Sequence, residues 1–157
     1  MPGQILRVIL FAISLCGFLP AQADESASSA QAQAVQKVYA EDIKDALMAH
    51  LAREVDAKGI FHLRDDRTGE MLQLRFVKIH DPVRQIGGST YFFACTDFAV
   101  IGEPDKLYDI DFWMSPQTEA LAIYDTKVHK EPRHSLIYGW YKQPRYTFVN
   151  DRVVTLY

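Results

Sequence analysis

The hydrophobic period of this chain changes once, at Gly59, and that switch constrains the fold more than any motif does. Before it, Val35, Tyr39, Ile43, Leu47, Leu51 and Val55 recur at a spacing of four, flanked by Val38, Ala46 and His50. Residues four apart share one face of a helix. Lys37, Glu41, Lys44, Asp45, Arg53 and Glu54 fall on the opposite side. The pattern predicts a helix over 34–57, ~36 Å long at 1.5 Å per residue. Gly59 suits the left-handed position just past its end. Too few heptads follow one another for a coiled coil.

After Gly59 the period is two, and turn residues punctuate it at short intervals. Ile60–Arg64 and Met71–His80 flank Asp65-Asp66-Arg67-Thr68-Gly69 as a hairpin. Tyr91–Ile101, Leu107–Met114 and Ala120–His129 follow as strands. They end at Gly102-Glu103-Pro104-Asp105, Ser115-Pro116-Gln117-Thr118 and Lys130-Glu131-Pro132. Asn150-Asp151 between Tyr146–Val149 and Arg152–Leu156 predicts a last small hairpin. Such short connections imply antiparallel neighbours, because parallel pairing needs long crossovers. The expected class is α+β: one long N-terminal helix on a curved antiparallel meander of about five strands, plus a short C-terminal hairpin. Lys130-Glu131-Pro132-Arg133 and Lys142-Gln143-Pro144-Arg145 echo each other, which as one four-residue match carries little weight.

The N-terminus has the marks of a secretory signal peptide over 1–23. Arg7 closes a short basic region, Val8 to Leu19 are apolar, and Pro20 breaks the run. Ala21-Gln22-Ala23 puts small residues before a cut after Ala23. Twelve apolar residues fall short of the ~20 that a membrane-spanning helix needs, so no stable membrane anchor is expected after cleavage. Asp24 to Gln33 reads as a flexible linker, and 34–157 as a single α+β domain. Removing 23 of the 157 residues leaves 134, enough for a real core, and takes the net charge from −3 to −4. That acidity gives no footprint for nucleic acid. Cys16 leaves with the signal, so Cys95 has no partner in the chain, and a disulfide framework is excluded. The expected location is periplasmic or secreted.

Turn-set pairing predicts that even-numbered positions share the helix face: Phe92, Ala94, Phe98, Val100, Tyr108, Ile110, Phe112, Met114, Ala122, Tyr124 and Val128, with Leu72, Leu74 and Phe76. The predicted register sets Asp97 opposite Asp111, Cys95 opposite Trp113 and Asp109 opposite Asp125. The odd face then has an apolar end of Tyr91, Phe93, Cys95, Trp113, Leu121 and Ile123. Its acidic end holds Asp97, Asp109, Asp111 and Asp125, with Arg75, Lys127 and His129 as counter-charges. Opposed carboxylates repel, so they must be solvated, paired or bound to a cation. The tail aromatics (Tyr138, Trp140, Tyr141, Tyr146, Phe148 and Tyr157) are the natural cover for the apolar end, which otherwise binds a ligand or partner.

The element order over residues 34–130 resembles the cystatin-like and NTF2-like proteins, in which a sheet wraps a helix. The resemblance implies shape alone, because such folds host unrelated functions. Gln85-Ile86-Gly87-Gly88 is only distantly similar to the cystatin inhibitory loop, and Ile86-Gly87-Gly88-Ser89 has no helix behind it to make a phosphate loop. His80-Asp81 ends a strand before Pro82, unlike the helical HD motif of phosphohydrolases. His62, His80, His129 and His134 are candidate transition-metal ligands without ligand spacing on one element. Cys95 with His129 or His80 is a candidate thiolate–imidazole pair. Nucleophile elbows and dinucleotide fingerprints are absent.

The reading is therefore an exported binding or accessory protein rather than an enzyme, with no cofactor. It engages an unknown partner protein or small ligand, and a homodimer is compatible with it. The candidate binding residues are Tyr91, Phe93, Trp113, Asp109, Asp111 and His129, with no catalytic residue and no metal ligand assigned. The alternatives are an NTF2-like pocket enzyme, a hydrolase or isomerase, and a metal-binding exported protein.

Overall fold

The computed structural model describes residues 37–86, 91–117 and 120–156. The expected signal peptide, its cut after Ala23, the linker and most of the Ile86–Ser89 turn lie outside the described residues. The architecture is α+β: helix α1 (Ala40–Glu54), a seven-stranded antiparallel sheet and a separate C-terminal hairpin. The strands are β1 (Phe61–Arg64), β2 (Met71–Ile79), β3 (Arg84–Ile86), β4 (Tyr91–Val100), β5 (Glu103–Pro116), β6 (Leu121–Ser135) and β7 (Gly139–Pro144). The hairpin is β8 (Tyr146–Val149) with β9 (Arg152–Thr155). The sheet order is β1-β2-β4-β5-β6-β7, with β3 also paired to β4. That is two strands more than expected.

Helix α1 starts where Asp42 turns back to accept a hydrogen bond from the Tyr39 backbone N–H at 2.7 Å. Such a bond satisfies a donor that the first turn would otherwise leave unpaired. The helix ends at Glu54, earlier than its apolar pattern suggests. Val55 is already extended and bridges to Phe61. Gly59 does adopt a left-handed φ of 71°, but in the following turn rather than at the helix end. There its N–H donates to the Asp56 carbonyl at 2.9 Å. Ile43, Leu47 and Leu51 are buried against Phe61, Leu72, Leu74, Phe92, Ala94, Phe98, Ile110, Phe112, Met114 and Val128. The even-parity face is therefore the helix face through β4 and β5.

The registers differ from those the turns suggested. Between β4 and β5, Cys95 lies opposite Asp111, Asp97 opposite Asp109, and Phe93 opposite Trp113. The slip is two residues, which keeps every side chain on its expected face. Between β5 and β6, Asp111 lies opposite Lys127 and Trp113 opposite Asp125, with irregularities at Asp109/Ile110 and Trp113/Met114. Each leaves one residue of β6 without a partner: His129 between Val128 and Lys130, and Tyr124 between Ile123 and Asp125. A bulge reverses which side chains face which way. Leu121 and Ile123 thus pack on the helix-side core instead of the odd face, and Tyr124 is exposed.

Strand β6 also runs through Lys130-Glu131-Pro132 rather than stopping there. Beyond Lys130 it pairs with β7 alone, so the missing Pro132 N–H costs no bond on the β5 side. The two echoing tetrapeptides lie opposite each other in this ladder, with Glu131 facing Gln143, Lys130 facing Pro144 and Pro132 facing Lys142. The arrangement puts Lys130 and Lys142 on one face and Glu131 on the other.

Candidate functional site

The odd face of β4 and β5, opposite the helix, gathers three aspartates. Asp97, Asp109 and Asp111 are all buried, the last two completely. Buried carboxylates require partners, and two of the three have an ammonium. Lys130 donates to Asp109 Oδ2 at 2.7 Å, and Lys142 donates to Asp97 Oδ1. His80 Nε2 lies 2.9 Å from Asp97 Oδ1. The position of His80 follows from an irregularity at Phe76/Lys78 in β2, and its N–H bonds to the Cys95 carbonyl at 2.8 Å.

Asp111 is different. Its Oδ2 accepts from the Tyr146 hydroxyl at 2.6 Å and stands 3.5 Å from His129 Nδ1. Among the described residues no lysine or arginine pairs with it. Two carboxylate oxygens at this centre, Asp109 Oδ1 and Asp111 Oδ1, are buried and accept no hydrogen bond; the buried Trp113 Nε1 likewise finds no acceptor. Cys95 Sγ lies 3.9 Å from His129 Nδ1. One ligand-capable atom from each of Cys95, Asp109, Asp111 and His129 falls within 4.8 Å of the others. His80, Asp97 and Asp109 form a second such group, in which Asp97 is already satisfied by Lys142 and His80.

The C-terminal hairpin lies over this face. Tyr146 stacks on His129 with centroids 4.6 Å apart, and Phe148 stacks on Phe93 at 5.0 Å. Phe93 stacks in turn on Trp113 at 5.3 Å. Between hairpin and sheet remains a cavity of about 510 Å³. Phe93, Phe148 and Leu156 line its apolar side, and His80, Cys95, His129, Lys130 and Tyr146 its polar side. Burial pushes the Tyr146 hydroxyl well above its ordinary range, and the Asp111 charge adds to this, so it stays a donor. Burial, then Asp111 and Asp109, also push the Cys95 thiol well above its ordinary value. That is the reverse of what a catalytic thiolate needs, so the Cys95–His129 contact is unlike an activated nucleophile.

Of the residues singled out from sequence, Asp109, Asp111 and His129 come together at one centre. Phe93 and Trp113 form the adjoining aromatic wall. Tyr91 stands apart, half-exposed and edge-on to Tyr124 at 5.9 Å. Asp125 does not join the acidic group; Lys127 pairs with it at 2.7 Å. His62 pairs with Asp56, and His134 packs edge-on to Trp140. Sequence reasoning missed Lys130, Lys142, His80 and Tyr146, and placed Cys95 at the apolar end. The tetrapeptide echo was the available signal for the two lysines.

Compared with protein-family models, with curated proteins and with solved structures, the chain matches none.

Proposed function

We propose that this chain is an exported binding protein that holds a small ligand in the cavity between its C-terminal hairpin and the odd face of its sheet. The observation that carries the reading is the pair of buried, undonated carboxylate oxygens behind Cys95 and His129, at a centre reached from an apolar-walled cavity. Pockets that bind small molecules combine apolar walls with a few convergent polar groups in this way. Phe148 and Tyr146 already cover Phe93, Trp113 and His129. A small ligand therefore fits this face better than a docked protein surface. Export accords with the signal-like sequence of residues 1–23.

The Cys95 thiol lines the cavity and serves as its reporter. Alkylation by iodoacetamide is measured with and without a protein-free extract of the source cell envelope. A ligand seated against the thiol slows the reaction, and Phe148→Ala, which removes one wall, relieves the protection. An unchanged rate, together with native mass spectra showing no bound species, would sink the proposal. Fractionation and intact mass of the chain from its own cells test export, with a mature N-terminus at Asp24 expected.

A further inference from the structure

We propose that Cys95, His129, Asp111 and Asp109 form a site for one borderline-soft divalent transition ion such as Zn²⁺. The inference rests on the ligand-binding reading above and names the ligand class.

Three observations carry it. The first is spacing. Ligands held at Zn–N, Zn–O and Zn–S distances of ~2.0–2.3 Å in a tetrahedron are roughly 3.3–3.8 Å from one another. From His129 Nδ1 the other three atoms stand at 3.5 Å for Asp111 Oδ2, 3.9 Å for Cys95 Sγ and 4.0 Å for Asp109 Oδ1. These distances are too long for good hydrogen bonds and need only a small contraction to meet a common ion. The second is the orphaned acceptors. Asp109 is fully buried, its Oδ2 is taken by Lys130, and its undonated Oδ1 faces His129 Nδ1. Asp111 is fully buried too, and Tyr146 holds its carboxylate in place, as outer partners do for metal ligands.

The third observation is charge. Lys130 offsets Asp109, which leaves Asp111 and, once ionised, the Cys95 thiolate as two negative charges. A divalent ion brings the sum to zero, and the thiol proton passes to solvent on binding. One thiolate, one imidazole and two carboxylates suit Zn²⁺ or Co²⁺ better than Ca²⁺ or Mg²⁺, which take oxygen alone. Cys95 and His129 line the cavity, which supplies an entry path.

The test uses untagged protein stripped with EDTA and titrated with CoCl₂ and ZnCl₂ alone. The expected result is saturation at one ion per chain, a thiolate-to-cobalt charge-transfer band, and a melting temperature that rises with metal concentration. Cys95→Ser abolishes the band. Asp111→Asn and His129→Gln each weaken binding at least tenfold, whereas His62→Ala and His134→Ala leave it unchanged. Absence of saturable binding, or Cys95→Ser binding as well as the parent, overturns the site. Should Cys95→Ser not fold, the comparison of Asp111→Asn with His134→Ala decides. An EDTA-treated envelope extract separates the two readings. If it still protects Cys95 while Co²⁺ and Zn²⁺ do not bind, the metal site falls and the cavity reading stands. If neither extract nor metal has an effect, both fall.

Discussion

Arg145 ties the hairpin that covers the site to the rest of the molecule. Its guanidinium binds both oxygens of Asp65 at 2.7 and 2.6 Å, and its Nε donates to Glu131 at 2.7 Å. All three residues are buried. Its backbone N–H bonds to the His129 carbonyl, and its carbonyl accepts from Leu156, so both ends of the hairpin are fixed at this residue. Removing one partner of a buried ion network strands the others. Arg145→Ala is therefore expected to cost about 3–5 kcal/mol at neutral pH in urea unfolding. Alkylation of Cys95 should also speed up as the hairpin loosens. The same contact sets an acid limb. Its hydrogen bonds from Arg145 hold the Asp65 carboxyl at about 2, below its ordinary 3.8. A depressed folded value contributes stability that is present above the unfolded pKa and lost as pH falls. Stability should decline from about pH 4 toward pH 2, and Arg145→Ala should flatten that part of the profile. An equally steep limb in the variant would show that other carboxylates carry it.

The C-terminal hairpin turns through Asn150 and Asp151, whose φ values of 49° and 58° are both left-handed. Two such residues make the tight turn whose twist matches paired strands. Asp151→Gly relieves the side-chain penalty at the second position. It should raise stability by up to about 1 kcal/mol, seen as a higher melting temperature with unchanged metal titration. This turn was legible in the sequence because Asn-Asp between two apolar runs carries its own backbone chemistry. The helix face was legible too, since the two-residue slip between β4 and β5 preserves parity. The bulges were not legible. Nothing in Tyr124 or His129 announces that it will drop out of the β5 ladder, and each irregularity reassigns its neighbours. For that reason Leu121 and Ile123 moved to the core side, and Lys130 met Asp109. The site was half legible for the same reason: strand parity gathers Asp109 and Asp111, but only the exact register brings Cys95 level with Asp111.

Across the whole molecule the two faces of the sheet serve different ends. The helix face buries Leu47, Leu74, Phe98, Ile110, Phe112 and Met114 with no exposure above 0 %. Truncating a fully buried leucine there, as in Leu47→Ala, should cost about 2–5 kcal/mol by leaving a cavity in the core. The odd face places Asp97 opposite Asp109 in adjacent strands, with Asp111 two residues further along β5. Like charges set directly opposite are destabilising, and of the three only Asp111 lacks an ammonium among the described residues. A carboxylate kept there against its own electrostatic cost fits a residue retained for binding rather than for folding. Asp111→Asn keeps the side-chain shape and an acceptor for Tyr146 while removing the charge. Measured at neutral pH in EDTA, it should match or exceed the parent in stability, with a gain of up to about 2 kcal/mol. Asp65→Asn is the opposite case, because that carboxylate is satisfied by Arg145, and its loss should destabilise the fold. In saturating Zn²⁺ the order of parent and Asp111→Asn should reverse, because only the parent gains binding energy from the ion. A loss of stability in Asp111→Asn already in EDTA would place Asp111 among the structural residues of the sheet.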